Sequence, residues 1–332
     1  MYLIIVGQLL YQESIEFRLR EGSTTMTNNP QSNARDRAVE PALDETPPPP
    51  YSSRINVDVF GMSETGIVRS TNEDHFLIVR AGRALETVLT NLSEDETMPG
   101  ELYEETAYGM IVADGVGGQP GGGVASRLAI YKLLSFALHT ADWQFRWGPR
   151  QKNTVMWRMK DRFRRVNAAL LREASSNASL SGMCTMTAAL THGTDLIVGH
   201  IGDSRAYLLH GGKLIKLTHD HTVGARAEQE GTHTESDPYT MEFRGLLLQA
   251  LGWRESECHP EIHDFRIQNE DQLVLCTDGL TDMVDEVDIE SVLNTSTSAK
   301  SACRSLIDVA LRKGGRDNVT VIVARYSVPA GA

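Results

Sequence analysis

The spacing of apolar and polar positions changes along the chain, and each change marks an element. Ile55–Ser63 alternates apolar and polar, which predicts a half-buried strand. Gly66–Asp74 is polar and turn-like and leads into a second strand that reaches Val79. Ala81–Thr106 is acidic and irregular, and it predicts an exposed excursion between two strands. Tyr108–Asp114 predicts a buried strand whose last residue is Asp114, followed at once by Gly115-Val116-Gly117-Gly118. Helical spacing then appears twice. Val124–His139 places Leu128, Tyr131, Leu134, Ala137 and Leu138 on one face. Val155–Ser175 does the same with Trp157, Phe163, Val166 and Leu170 and leaves a basic outer face; Asp142–Asn153 forms the loop between them.

Beyond Gly182 the period drops to that of strands. Thr185–Leu190 and Leu196–Ile201 are joined by a turn at His192–Asp195, and Gly211-Gly212 sits between Ala206–His210 and Lys213–Leu217 as a two-residue hairpin signal. This half of the chain therefore reads as antiparallel sheet. Thr218–Gly245 has no sheet period and predicts a surface flap with a short helix over Val223–Glu230. Glu261–Arg266 alternates as a strand. Asp271–Cys276 is apolar and ends in Asp278-Gly279, with Asp282 in the opening turn of a short helix. A helix over Ser298–Arg312 and a strand over Val319–Arg325 close the pattern, with Asp317 just before that strand.

Composition narrows the class. The chain has 332 residues and a formal net charge of −12, which argues against general nucleic-acid binding. No run of about 18 apolar residues implies a membrane span. The four cysteines, Cys184, Cys258, Cys276 and Cys303, form no close pair and read as reduced thiols of a cytoplasmic protein. Met1–Leu10 is briefly apolar but lacks the basic flank of a signal peptide, and a start at Met26 fits equally well. Glu21–Pro50, polar and ending in four prolines, predicts a disordered leader. The expected organisation is a leader over 1–54, one domain over 55–327 with the flap at about 218–245, and a short tail over 328–332.

The chemistry lies where strands end. Asp114, Asp203, Asp278 and Asp317 each stand at a strand boundary beside small residues. One such aspartate is usually a turn former; four at the edges of apolar strands are costly unless cations neutralise them. Their oxygens suit hard ions, Mg²⁺ or Mn²⁺. Two such ions roughly 3.5–4 Å apart can position a hydroxide and neutralise a phosphoryl group. Arg69 offers a planar fork for phosphate oxygens, although it also suits a surface pair with Glu73 or Asp74. Arg205 suits a local pair with Asp203. His219, His221 and His233 lie too scattered in a loop to favour zinc.

The ordered blocks Arg69…Asn72-Glu73-Asp74, Asp114-Gly115-Val-Gly-Gly118, Gly202-Asp203-Ser204-Arg205-Ala206, Leu217-Thr-His-Asp-His221, Thr277-Asp278-Gly279-Leu-Thr-Asp282 and Arg316-Asp317-Asn318-Val-Thr320 resemble the protein phosphatase 2C family, in the form of its bacterial members. The resemblance runs from about Ile55 to Tyr326. It implies an α+β fold, a four-layer α/β/β/α sandwich of two antiparallel sheets flanked by helices. It implies a metal-dependent protein serine/threonine phosphatase in which a hydroxide held by two metal ions attacks phosphorus in line. Asp114, Asp278 and Asp317 would bind the first ion. Asp114 and the Gly115 carbonyl would bind the second, with Glu73 nearby, and Asp203 with Asp278 a third, weaker one. Arg69 would bind substrate phosphate, so that Arg69, Asp114 and Asp278 carry catalysis. Asp74, Asp282 and Asn318 would orient the ligands. The partners implied are phosphoproteins made by a serine/threonine kinase; no nucleic acid and no membrane insertion are expected, and the oligomeric state stays open, with a monomer as the expectation. Val116 stands where animal members often carry a histidine acid, which leaves a metal-bound water, His219 or His221 for that role. A phosphatase-like module that only docks phosphoproteins, or a phosphatase of small esters, are the competing readings.

Overall fold

The computed structural model describes residues 51–86, 102–116, 121–139, 149–177, 182–231, 243–253 and 258–329. Residues 1–50 of the leader, residues 87–101, Gly117-Gly118, His233 and the last residues of the tail lie outside them. A single 3-10 turn at Tyr51–Arg54 precedes β1 (Asn56–Glu64), β2 (His75–Glu86) and β3 (Leu102–Ala113). Helices α1 (Gly122–Leu138) and α2 (Pro149–Ser176) follow, then β4 (Met186–His192), β5 (Asp195–Ile201), β6 (Arg205–His210) and β7 (Lys213–Lys216). Helix α3 (Val223–Glu230), β8 (Glu261–Arg266) and β9 (Gln272–Cys276) lead to α4 (Asp278–Thr281), α5 (Glu286–Thr295), α6 (Ala299–Arg312) and β10 (Val319–Ser327).

The strands form two five-stranded antiparallel sheets, β1-β10-β9-β6-β7 and β2-β3-β4-β5-β8. The α+β sandwich is thus as expected. Three apolar layers hold it together. Met110, Val112, Leu196, Val198, Leu273, Leu275, Ile322 and Ala324 pack between the sheets. Their strand neighbours Ile111, Ala113, Ile197 and Ile201 turn outward beneath α1 and α2, and Val274, Cys276, Val321 and Val323 turn outward beneath α5 and α6. Period-2 geometry sends alternate residues to opposite faces, and both faces are covered. That is why β3, β9 and β10 read as continuous apolar runs.

Four expectations need correction. Ala81–Glu86 and Leu102–Thr106 are not irregular: they extend β2 and β3 as one paired ladder, from His75↔Ala113 to Glu86↔Leu102. Helix α1 turns a different face inward from the one expected. Ala125, Ala129, Ile130 and Leu133 are buried, whereas Tyr131 and Leu138 are exposed. Small residues here let the helix approach the sheet, so size of side chain misidentified the stripe. Trp157 of α2 is likewise exposed, although Phe163, Val166 and Leu170 are buried as expected. Finally, Asp278 itself opens α4, and Asp282 caps its C-terminal end. The short α5, which the sequence reading did not anticipate, starts at Asp285, whose carboxylate accepts the Asp288 N–H at 2.9 Å.

Candidate active site at one end of the two sheets

All the singled-out acidic residues emerge at one end of the sandwich. Asp114 follows β3, Asp278 follows β9, Asp203 lies between β5 and β6, Glu73 precedes β2 and Asp317 precedes β10. The registers Val112↔Thr187, Met186↔Ile201 and Arg205↔Cys276 bring these strand ends side by side. A cavity of about 190 Å³ opens there, lined by Arg69, Glu73, Asp114, Gly115, Asp203, Asp278, Asp317 and Asn318, with Val116, Thr185, Gly245 and Leu247 completing its wall.

Two glycines permit this convergence. A Cβ on Gly115 would lie 2.3 Å from the Gly122 carbonyl carbon, and one on Gly279 would lie 1.9 Å from the Asn318 oxygen. Each Asp-Gly pair therefore needs its glycine for close backbone approach. The start of β2 is then held down: the Glu73 N–H donates to Asn318 Oδ1 at 2.8 Å, the Gly123 N–H donates to Glu73 Oε1 at 3.3 Å, and Ser126 Oγ donates to the Glu73 carbonyl at 2.6 Å. Asn318 Nδ2 donates to the Thr65 and Thr71 carbonyls, so one side chain clamps the loop that carries Arg69.

The electrostatics are one-sided. Asp114 lies within hydrogen-bonding reach of both Asp74 and Asp278. Burial pushes the Asp114 and Asp278 carboxyls well above the ordinary carboxylate range, and repulsion from neighbouring aspartates pushes them further. Asp74 is raised to about 6, mainly by burial and against the hydroxyls of Thr320 and Thr277, each 2.8 Å from its Oδ2. Asp203 is raised to about 6, by burial first and then by Asp220. Buried Oδ1 atoms of Asp74 and Asp278 receive no donor. Among the described residues, the one cation on the wall is Arg69, whose Nη2 lies 2.6 Å from Asp317 Oδ2, with the guanidinium half-exposed. An all-oxygen acceptor set with orphaned carboxylate oxygens fits hard divalent cations, which would supply the missing positive charge.

Other residues fall elsewhere. Asp74 and Asp282 lie behind the wall, where Asp74 faces Asp114 and Asp282 raises Asp203 and Asp278. Arg205 does not pair with Asp203. It binds Asp220, with Nη2 at 2.6 Å from Oδ2 and Nε at 3.0 Å from both oxygens. His219 and His221 do not line the cavity; both turn to Glu261 at the start of β8. The structure adds hydroxyls that the sequence reading did not single out as site residues. Thr185 Oγ1 accepts the Asp114 N–H and contacts Ser204 Oγ at 2.7 Å, while Thr277 and Thr320 hold Asp74. For Thr277 and Thr320 the signal was present in the Thr-Asp-Gly and Asn-Val-Thr motifs, each placing a threonine one or two residues from a site residue.

This fold and site define a metal-dependent phosphatase. The protein phosphatase 2C model matches residues 93–312, and the chain belongs to that family. It is 33% identical over 222 residues to the serine/threonine phosphatase stp of Listeria welshimeri, covering 66% of this chain and 84% of that protein. It is 34% identical over 263 residues to the serine/threonine protein phosphatase PstP of Mycobacterium tuberculosis, covering 79% of this chain but spanning 43% of PstP. Among solved structures, the catalytic domain of PstP in complex with two manganese ions is similar at a TM-score of 0.62 and 28% identity, over 82% of this chain and 99% of that one. The family's cofactors are Mg²⁺ or Mn²⁺. The match to the family model stops short of Arg69, Glu73, Asp317 and Asn318, which the fold brings to the same cavity.

Proposed function

We propose that the chain hydrolyses phosphoserine and phosphothreonine in proteins phosphorylated by a serine/threonine kinase. The observation that carries this reading is a single cavity in which Asp114, Asp203, Asp278, Asp317 and Glu73 face Arg69. Asp114, Asp278 and Asp317 would hold one ion, and Asp114 with the Gly115 carbonyl and Glu73 a second. Asp203 with Asp278 would take a third, weaker ion. When bound, such ions acidify the attacking water and neutralise charge on the phosphoryl group.

The protein's own groups do the rest. Arg69 sits half-exposed at the rim, where its fork can take two phosphate oxygens and fix the phosphorus for in-line attack opposite the serine or threonine oxygen. Pairing with Asp317 holds the fork in place before substrate arrives. Asp74, anchored by Thr277 and Thr320, keeps Asp114 turned into the cavity. Val116 lines the wall with an aliphatic side chain that cannot donate a proton, and His219 and His221 turn to Glu261 and not to the cavity, which favours water over these two histidines as the source of the alkoxide's proton. The free thiols, three of them buried, support a reducing cytoplasmic setting. No helix among the described residues is long and apolar enough to cross a membrane.

Phosphate release from phosphoserine and phosphothreonine peptides in Mn²⁺, compared with small phosphate esters, tests the reading. Peptide turnover lost in Asp278→Ala is expected. Equal inactivity of both proteins, or faster turnover of small esters than of peptides, would overturn it.

A further inference from the structure

On the edge strand β8, a second cluster of metal-binding side chains stands apart from the acidic cavity. His219 Nδ1 lies 3.4 Å from Glu261 Oε2, and His263 Nε2 lies 3.2 Å from the same oxygen. One ligand atom from each of the three residues falls within 4.8 Å of the others. A tetrahedral ion with ligand distances of about 2.0–2.1 Å has donors spaced roughly 3.3–3.4 Å apart. Two of the three gaps already have that size. The third closes by rotation of the His219 ring, which is 75% exposed and free to turn.

The carboxylate is also braced from behind. The Gly202 N–H donates to His221 Nδ1 at 3.2 Å, so this buried ring carries its proton on Nε2, which lies 3.4 Å from Glu261 Oε1. Glu261 therefore has one oxygen engaged by a fixed N–H and the other turned toward two imidazoles, that of His219 exposed and that of His263 partly so. That is the arrangement in which a hydrogen-bonded carboxylate serves as a metal ligand. The backbone at His219 is fixed as well, because its carbonyl oxygen lies 3.0 Å from His200 Nε2. The neighbouring carboxylate, Asp220, is taken up by Arg205 and Lys216 and does not compete.

We propose that His219, Glu261 and His263 form a site for a borderline transition-metal ion of the Zn²⁺ class, distinct in chemistry from the oxygen-only cavity. Imidazole nitrogen selects such ions over Mg²⁺ and Mn²⁺. An ion here joins the loop that begins the flap, which leaves β7 in one sheet, to the edge strand of the other sheet. Because the His221 N–H donates to the Gly202 carbonyl at 2.7 Å, and Asp203 follows in the chain, that staple bears on a wall of the cavity.

The test is calorimetric titration of the full chain with Zn²⁺ in excess Mg²⁺, repeated with His219→Ala, His263→Ala and Asp278→Asn. The two histidines are at least partly exposed, and circular dichroism of each variant establishes that it is folded. The proposal expects one Zn²⁺ per chain, at least about tenfold weaker binding in each histidine variant, unchanged binding in Asp278→Asn, and a Zn²⁺-induced rise in Tm that the histidine variants lose. Zn²⁺ binding that survives both histidine substitutions, that is lost in Asp278→Asn, or that is absent from the parent protein would overturn it.

Discussion

Asp114 and Asp278 close strands in different sheets, and their carboxyls lie within hydrogen-bonding reach of each other with no donor between them. Two buried acceptors at that separation are unfavourable unless a proton or a cation joins them. The metal-free protein has only the proton.

Stability of the metal-free protein should therefore depend on pH in a direction that metal abolishes. Asp74 and Asp203 are raised to about 6, and burial and mutual repulsion also raise Asp114 and Asp278 well above the ordinary carboxylate range. The folded state keeps these protons where the unfolded chain, with carboxylate pKa of about 3.9, has lost them. Their contribution is fully present below that value and is lost as pH rises through 6 and beyond. Glu261 and Asp220, both lowered, contribute constantly in this range. Buried His200, lowered to about 3, works in the opposite sense up to about pH 6.5, with or without metal. The measurement is thus a difference: Tm at pH 5 and pH 7.5, in chelator and in Mn²⁺. The Mn²⁺-induced gain in Tm should be the larger at pH 7.5.

Asp278→Asn should separate function from stability. An amide supplies a donor toward Asp114 and removes one repelling charge. Turnover should fall at least about a thousandfold, while Tm in chelator rises above that of the parent protein. A fall in that metal-free Tm would contradict the repulsion argument.

Arg69→Ala should raise KM for phosphopeptides more than it lowers kcat. Hydrogen bonds from a charged group contribute about 1.5–3 kcal/mol, equivalent to roughly 10–100-fold in affinity. Arg69→Lys should recover only part of this, because an ammonium lacks the bidentate fork. Steady-state kinetics and competition by inorganic phosphate report it.

Thr277→Val and Thr320→Val each remove a hydroxyl from Asp74 Oδ2. A buried acceptor left with one donor fewer costs about 1–3 kcal/mol. Because Asp74 faces Asp114, Mn²⁺ affinity should drop about 10–100-fold. Calorimetric titration with Mn²⁺ distinguishes this from simple destabilisation.

Arg205→Ala strands Asp220, whose side chain is 9% exposed. Breaking such a pair costs about 3–5 kcal/mol, eased here by Lys216 at 2.8 Å. Denaturant unfolding should show the loss, and Asp220→Asn in the same background should restore part of it.

Much of this site was legible before any fold was known, because its signals are local. An apolar run that delivers an aspartate against a glycine reports a strand end, and Asp114 and Asp278 carry that signature in a few residues. Helix faces were less legible. Tyr131, Leu138 and Trp157 look like core residues by hydrophobicity alone, yet alanines at 125 and 129 make the contact in α1. The pairing of Arg205 was not legible at all: Asp203 is nearer in the chain, but Asp220 is the residue that the β6–β7 hairpin returns to its side.

Unaided, the order of residues determined the alternation of strands and helices, the Gly211-Gly212 hairpin and the placing of Asp114 and Asp278 at strand ends, since each depends on neighbours within about ten positions. Only the folded chain decided which carboxylates meet. Pairing register and sheet stacking place Asp317 against Arg69 across 248 positions, and turn the flap histidines to Glu261 and away from the cavity. Such proximities are products of long-range packing, which no local pattern encodes.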